Sequence, residues 1–576
     1  MAIPPQVGLC ARRVVRTAFR STLAVAAIGI AATAGAQTVR LPPVERIDAV
    51  YARYDSDSTP GCAVTVLHAD SVIFSKAYGM AHIGFKVPMT TATTTWIPYS
   101  ESRTFVALAA ATLARDGALT LDDPVRRHVP ELPAYASAVT VRHLLHHTSG
   151  LADYGSLDIA FDLTDRISDD QMFRALERWG SLNFPAGRGH MYSNTDYAVL
   201  RILVERVSTR SLHDYLHEQL LDRLGMRNTW LGVEQQKVPG AHALFHDGEW
   251  RPVLRYRISP VGRISVSTSV DDLTKWARAL RDSSSGIRPL LASLERGASD
   301  TADTYGSAYG IATREDAGLA LEEFRGVEGY RYITRAPAHD LSVVTMCNHY
   351  GAVVAEGPRI AALFVPGVDT TTVRTPLKAA APSAPRPTIS VTMPELQRFV
   401  GEYRTIDDKV TGVRVELVDS ALVITVGDGR RFPTRSVGSG LFAMIIAGNE
   451  RSHSRFDIVN GEVLLSERDV DTGAPVGKPI RRYVGLKPSP ATLQGYLGAY
   501  EGEKVEGTLY VTVHGDSLMI AARGHAPILL HPNAEVDAFR VPDYVLRFTR
   551  DRAGRVTHLT LDATRVQGMR YARKRQ

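Results

Sequence analysis

Cysteine is scarce in this sequence. There are three in 576 residues, Cys10, Cys62 and Cys347. So few thiols exclude a small disulfide-stapled scaffold, and no Cys/His spacing suggests a zinc site. No metal and no cofactor is expected. Cys62 and Cys347 both lie in strand-like runs. Two buried free thiols are the expectation, with a disulfide as the alternative in an exported chain. Long apolar runs are also scarce. One, near residues 23–32, falls short of the roughly 20 residues of a membrane span, and no other stretch could cross a bilayer. Acidic residues are absent from the first 36 positions, which carry Arg12, Arg13, Arg16 and Arg20. Taking those four charges from the formal +6 leaves 6 − 4 = +2, so nucleic acid is not an expected partner.

The basic start, the short apolar run and Ala34-Gly35-Ala36 before Gln37 have the layout of a secretory signal peptide over 1–36. Its removal would leave an exported chain, periplasmic or secreted, with no membrane span. Apolar content of 44% and charged content of 22% are ordinary for a globular protein, and the length calls for several domains. Residues 44–54 read as a short amphipathic helix. Pro60-Gly-Cys-Ala-Val-Thr-Val-Leu67 and residues 72–78 read as a hairpin that opens an antiparallel sheet. Residues 368–390, rich in Pro, Ala and Thr, read as a linker. Beyond it Leu396-Gln-Arg-Phe-Val-Gly-Glu-Tyr403 returns as Leu493-Gln-Gly-Tyr-Leu-Gly-Ala-Tyr500, and Arg455-Phe456 as Arg547-Phe548. The spacing is too long for a solenoid unit. Alternating apolar residues mark two copies of a small all-β domain, 391–486 and 487–576.

The chain is organised around Trp96-Ile-Pro-Tyr-Ser-Glu-Ser-Arg-Thr-Phe105, which leads into the apolar run 106–113. One helical turn puts Ser100 and Arg103 on the same face. A helix N-terminus there favours a developing oxyanion. Three more stretches follow: Val141-Arg-His-Leu-Leu-His-His-Thr-Ser-Gly-Leu151, Tyr192-Ser193-Asn194 opening an apolar helix, and Ser267-Thr268 with Asp271-Asp272-Leu273. In this order they resemble the serine β-lactamase, penicillin-binding protein and D-aminopeptidase/esterase family. The matching motifs are its S-x-x-K, V-R-H-L-L-T-H-T-S-G-L, Y-x-N and S-T-x-x-D-L stretches. In the second of these we expect His147 to be a scaffold hydrogen-bonder and His146 to be exposed.

The resemblance covers about residues 44–365, within a domain read as 44–367. It implies an α/β (α+β) fold, an antiparallel sheet with a helical subdomain. Bacterial D-aminopeptidases are similar in carrying tandem β-barrels after such a domain, which suggests that the two tail domains are barrels. The resemblance also implies that Ser100 is the nucleophile, Tyr192 a proton-transfer partner and Asn194 a holder of the substrate amide. The oxyanion hole would be the backbone N–H groups of Ser100 and Gly326.

This sequence departs from the pattern at three places. Arg103 stands where the family has lysine. Counting back from Gly329-Tyr330-Arg331, Glu323 and Arg325 replace the His or Lys and the glycine of the H/K-x-G strand. His246-Asp-Gly248 has the letters of that motif but lies too early. A guanidinium does not deprotonate in a protein, so Arg103 is no general base. It either favours a Tyr192 tyrosinate by its fixed charge or is structural. Glu323 either pairs with Arg103 across the cleft or lies solvated at its rim. Three functions stay open. One is a serine hydrolase of D-amino-acid peptides, esters or β-lactams with impaired catalysis. Another is an inactive relative that binds a ligand or an envelope protein. The third is an adaptor that meets a protein partner through the C-terminal β domains.

Overall fold

A computed structural model describes residues 44–97, 102–155, 167–232, 262–295, 311–316, 318–325, 331–349, 356–368, 390–404, 413–425, 431–446, 449–468, 475–483, 488–504, 507–522, 527–532, 536–541, 544–563 and 566–574. The N-terminal segment read as a signal peptide, Ser100, His246, Gly326 and most of the linker lie outside the described residues.

Six strands make the central sheet: β1 (Cys62–His68), β2 (Ser71–Tyr78), β3 (Ile311–Asp316), β4 (Leu319–Arg325), β5 (Arg331–Ala336) and β6 (Leu341–Cys347). Their order is β2-β1-β6-β5-β4-β3. Every pair is antiparallel. The apolar run of β1 reads as continuous because both of its faces are covered. Cys62, Val64 and Val66 enter one core with Ile47, Tyr51, Ile360 and Phe364. These last come from helices α1 (Val44–Tyr51) and α6 (Glu356–Phe364). Ala63 and Leu67 enter the other core, which holds α2 (Arg103–Arg115), α4 (Asn194–Ser208) and α5 (Val270–Arg281). Helix α2 is buried from Arg103 to Leu113, the pattern of a helix surrounded by others. It stops at Gly117, whose φ of +75° suits the left-handed turn that releases the chain. Ser269 caps α5 by accepting the Asp272 N–H at 3.2 Å.

The two tail domains are eight-stranded closed barrels, from Gly401–Arg404 to Pro475–Tyr483 and from Gly498–Gly502 to Val566–Arg573. The internal repeat is visible atom by atom. Tyr403 Oη donates to Phe399 O at 2.6 Å, and Tyr500 Oη donates to Tyr496 O at 2.6 Å. The rings of Phe399 and Phe456 lie 4.7 Å apart, as do those of Tyr496 and Phe548. In each copy a phenol ties the first strand to the short helix before it, and an aromatic pair plugs the barrel. Among the described residues no helix is long and apolar enough to cross a membrane.

One expectation is corrected here. Cys62 and Cys347 are not free thiols. They face each other in register across β1 and β6 and form a disulfide. Directly opposed residues on neighbouring strands share a face of the sheet. Each run read as a strand, but no local pattern said that the two strands are adjacent.

Candidate active site

Two anchored points flank Ser100. Before it, Thr95–Ile97 pairs antiparallel with Val266–Thr268. After it, buried Ser102 accepts the Val266 N–H on its Oγ at 3.1 Å. The same short strand therefore holds both ends of the segment that carries the serine and leads into α2.

Arg103, the first residue of α2, is 1% exposed. Its Nη1 donates to His147 Nε2 at 2.8 Å. Its guanidinium lies 4.8 Å from the Tyr192 ring centre and 5.7 Å from that of Tyr197, which are cation–π distances. His147 follows α3 (Val141–Leu145) at a φ of +55°, a costly backbone for a non-glycine residue. The next residues make the turn possible. Gly150 has a φ of +74°, and a Cβ there would meet Phe184 O at 2.1 Å, so only glycine fits.

The contacts of His147 decide its tautomer. Arginine cannot accept a hydrogen bond, so Nε2 carries the lone pair and the proton is on Nδ1. That proton points at Asp196 Oδ2, 3.0 Å away. The Ser193 N–H also lies 3.3 Å from Nδ1, but two donors face each other there and no bond forms. Asp196 Oδ1 accepts from Ser149 Oγ at 2.5 Å, and Ser149 Oγ accepts the Leu151 N–H at 3.0 Å. Burial pushes the Asp196 carboxyl well above its usual range; the Ser149 hydrogen bond opposes this and the nearby Asp153 charge adds to it. The result is a buried chain, Arg103–His147–Asp196–Ser149, joining the start of α2 to the first turn of α4.

Tyr192 and Asn194 sit beside this chain. Tyr192 Oη donates to Asn194 Oδ1 at 3.2 Å. The Asn194 N–H, at the start of α4, is taken by Asp153 Oδ2 at 2.6 Å. The Tyr192 ring lies 4.6 Å from that of His147. A fixed cation, a phenol and a side-chain amide thus meet where α2 and α4 begin. Such a set can position a carbonyl, hand on one proton and stabilise negative charge.

Residues 47–365 match the beta-lactamase family, over more than half of the chain. The chain belongs to the beta-lactamase family. It is 24% identical over 548 residues to a D-aminopeptidase of Brucella anthropi, covering 89% of this chain and 95% of that protein. It is 32% identical over 169 residues to penicillin-binding protein 4* of Bacillus subtilis, covering 29% of this chain and 37% of that protein. It is 24% identical over 302 residues to protein flp of Staphylococcus aureus (strain MW2), covering 50% of this chain and 59% of the length of flp. The octameric penicillin-binding protein homologue from Pyrococcus abyssi superposes with a TM-score of 0.50 at 19% identity, covering 84% of this chain and 98% of that one. At that identity the likeness is one of fold.

In this beta-lactamase-family chain the structure brings Arg103, Tyr192 and Asn194 together. Ser100 and Gly326 lie outside the described residues. Glu323 stands apart from them. The β3–β4 register runs without a break from Leu319 to Phe324, so side chains alternate strictly. Leu319 and Leu321 belong to the core under α1 and α6; Phe324 belongs to the core of α2. Glu323 is fully buried and shares the face of Leu319 and Leu321. Its strand partner Thr334 lies against Gly357 of α6. This overturns both positions expected for Glu323. It is not solvated at a rim, and its strand turns it away from the face that packs on α2. Arg325, two residues on, ends β4; its side chain is not described.

His146 is also corrected. It is 6% exposed, not a surface residue. Burial, with Arg142 nearby, holds its pKa down at about 4. Below a pH of about 6.5 the unfolded chain takes up a proton that the folded chain refuses. The His146 contribution to stability is therefore present above that pH and lost as pH falls towards 4, by up to about 3 kcal/mol. His146→Thr, the residue of the family stretch, should flatten this acid limb. Urea unfolding at a series of pH values tests it; equal slopes in both proteins would refute it.

Asp196, Ser149 and Asp153 were not singled out in the sequence. Ser149 stands in the matched H-T-S-G, and Asp196 lies two residues past the Y-x-N asparagine. Nothing local marks either one: Asp196 joins the site through His147, and Ser149 through Asp196.

Proposed function

We propose that this chain is an exported serine hydrolase, acting through an acyl-enzyme on D-amino-acid peptides, esters or β-lactams, with a slowed acylation step. The observation that carries the reading is the Tyr192–Asn194 pair beside Arg103, at the end of the segment that holds Ser100. In the reaction, Tyr192 enters as the tyrosinate that the Arg103 charge favours; Ser100 Oγ bonds to the substrate carbonyl carbon and its proton passes to the Tyr192 oxygen, restoring the phenol. The tetrahedral intermediate collapses, the bond to the leaving amine or alkoxide breaks, and that group takes the proton. Water then attacks the ester by the reverse route. Arg103 holds its charge next to Tyr192 but accepts no proton, and losing general-base help costs about 10²–10⁴ in rate. Export rests on the N-terminal pattern of basic residues, apolar run and Ala34-Gly35-Ala36.

A second reading has its own support. The hydrogen bond from Arg103 to His147 fixes the cation within the fold, as suits a site that binds a ligand or an envelope protein without turning it over. The C-terminal barrels are the surface such a partner would use.

Intact-mass detection of an acyl adduct, with a β-lactam and a fluorophosphonate, separates the two. An adduct on the wild type that is absent from Ser100→Ala supports the hydrolase. No adduct on folded wild type supports the binding protein.

A further inference from the structure

Cys62, Cys347 and His349 form a group outside the candidate active site. Cys62 and His349 are 0% and 1% exposed, and Cys347 is 3% exposed. Cys347 ends β6 and His349 stands two residues on, so both project to one face of the chain. Cys62 faces Cys347 across the ladder. His349 Nε2 is 3.9 Å from Cys62 Sγ, and the three ligand atoms lie within 4.8 Å of one another. Cys-x-His is not a zinc-finger spacing, which is why the sequence showed no site; the third ligand comes from a strand 285 positions away.

We propose that this group is a redox-gated site for a divalent d10 cation, zinc above all. Oxidised, it is the disulfide. A dithiol reductant opens it: the S–S bond takes two electrons and two protons to give two thiols, and the dithiol becomes a disulfide. The ion then displaces both thiol protons, and two thiolates with neutral His349 hold it. Two thiolates balance a divalent ion, so the complex is neutral, as a dry interior requires. With metal–sulfur bonds of about 2.3 Å, tetrahedral ligand atoms sit roughly 3.7 Å apart. The Nε2–Cys62 Sγ distance already fits, and rotation about χ1 parts the sulfurs.

The backbone around the group is clamped independently of the disulfide. Between the two ligands, Asn348 accepts the Gly61 N–H on Oδ1 at 2.7 Å. Its Nδ2 donates to Met80 O at 3.2 Å and Ala81 O at 3.0 Å. The Asn348 N–H donates to Gly61 O at 3.1 Å. The strands that carry Cys62 and His349 thus stay in register when the S–S bond opens. The Tyr54 ring, 4.6 Å from that of His349, holds the imidazole in place.

The test uses the full chain with Cys10→Ser, so that only these two thiols remain. The protein is reduced with a dithiol, freed of reductant without air, and titrated with Co²⁺ and then Zn²⁺. A sulfur-to-cobalt charge-transfer band should appear and collapse as one equivalent of zinc replaces cobalt. The oxidised protein should show no band and retain no zinc. His349→Ala keeps both thiols and should lose more than the roughly tenfold in affinity that removing an outer partner of a metal ligand costs. Zinc binding by His349→Ala equal to that of the parent would overturn the proposal. So would a reduced parent with native circular dichroism that takes up no zinc. Unfolding on reduction would make parent and variant bind alike, which also refutes a built site.

Discussion

Arg103→Lys is expected to speed acyl-adduct formation on Ser100 by about 10²–10⁴. Arginine at this position keeps a charge but cannot take a proton. An amine in the same place can. Arg103 is 1% exposed, and burial disfavours the charged form of a lysine, lowering its pKa towards the range where it shuttles protons. His147 Nε2, which now accepts from the guanidinium, would accept equally from an ammonium. Intact mass against time, with a β-lactam and with a fluorophosphonate, gives the rate for wild type and variant, and the Ser100→Ala/Arg103→Lys double variant checks the site. An unchanged rate in a folded variant would mean that the missing base is not what limits the chemistry. Weight would then pass to the altered Glu323–Arg325 stretch and to the binding role.

His147→Ala should cost about 3–5 kcal/mol of stability, the scale for removing one member of a buried charged network. The imidazole joins a buried guanidinium to a buried carboxyl, and its Nδ1 and Nε2 contacts run at 3.0 and 2.8 Å. Alanine would also leave a cavity between the rings of Tyr192 and Tyr197, which lie 4.6 and 5.2 Å from the imidazole. Urea unfolding followed by circular dichroism reads the loss. His147→Gln refills much of the space and can still accept from Arg103, so it should recover part of it. A loss below about 1 kcal/mol in His147→Ala, the size of an ordinary hydrogen bond, would show that the chain from Arg103 to Ser149 does not hold the site together.

The sequence by itself determined those features that are written in local pattern. The hairpin of β1 and β2 and the apolar run of α2 are each contiguous stretches, and the structure has them. The internal repeat announced two like β domains, and Tyr403 and Tyr500 duly make the same bond. The ordered motifs around Ser100, Tyr192 and Asn194 carried the family, because each is a contiguous stretch.

Tertiary structure alone decided whatever depends on which distant segments become neighbours. The alternation within β4 says that Glu323 and Leu321 share a face, but not that this face packs on α1 and α6. That depends on the strand order β2-β1-β6-β5-β4-β3. Cys62 meets Cys347 only because β1 and β6 are adjacent and in register, and His349 joins them for the same reason. His146 looked like a surface residue because a five-residue helix offers too little periodicity to show an inside. His147 was legible as a scaffold residue, but its tautomer was not. It took the Arg103 donor on one nitrogen and the Asp196 carboxyl on the other, brought from two different helices, to place the proton.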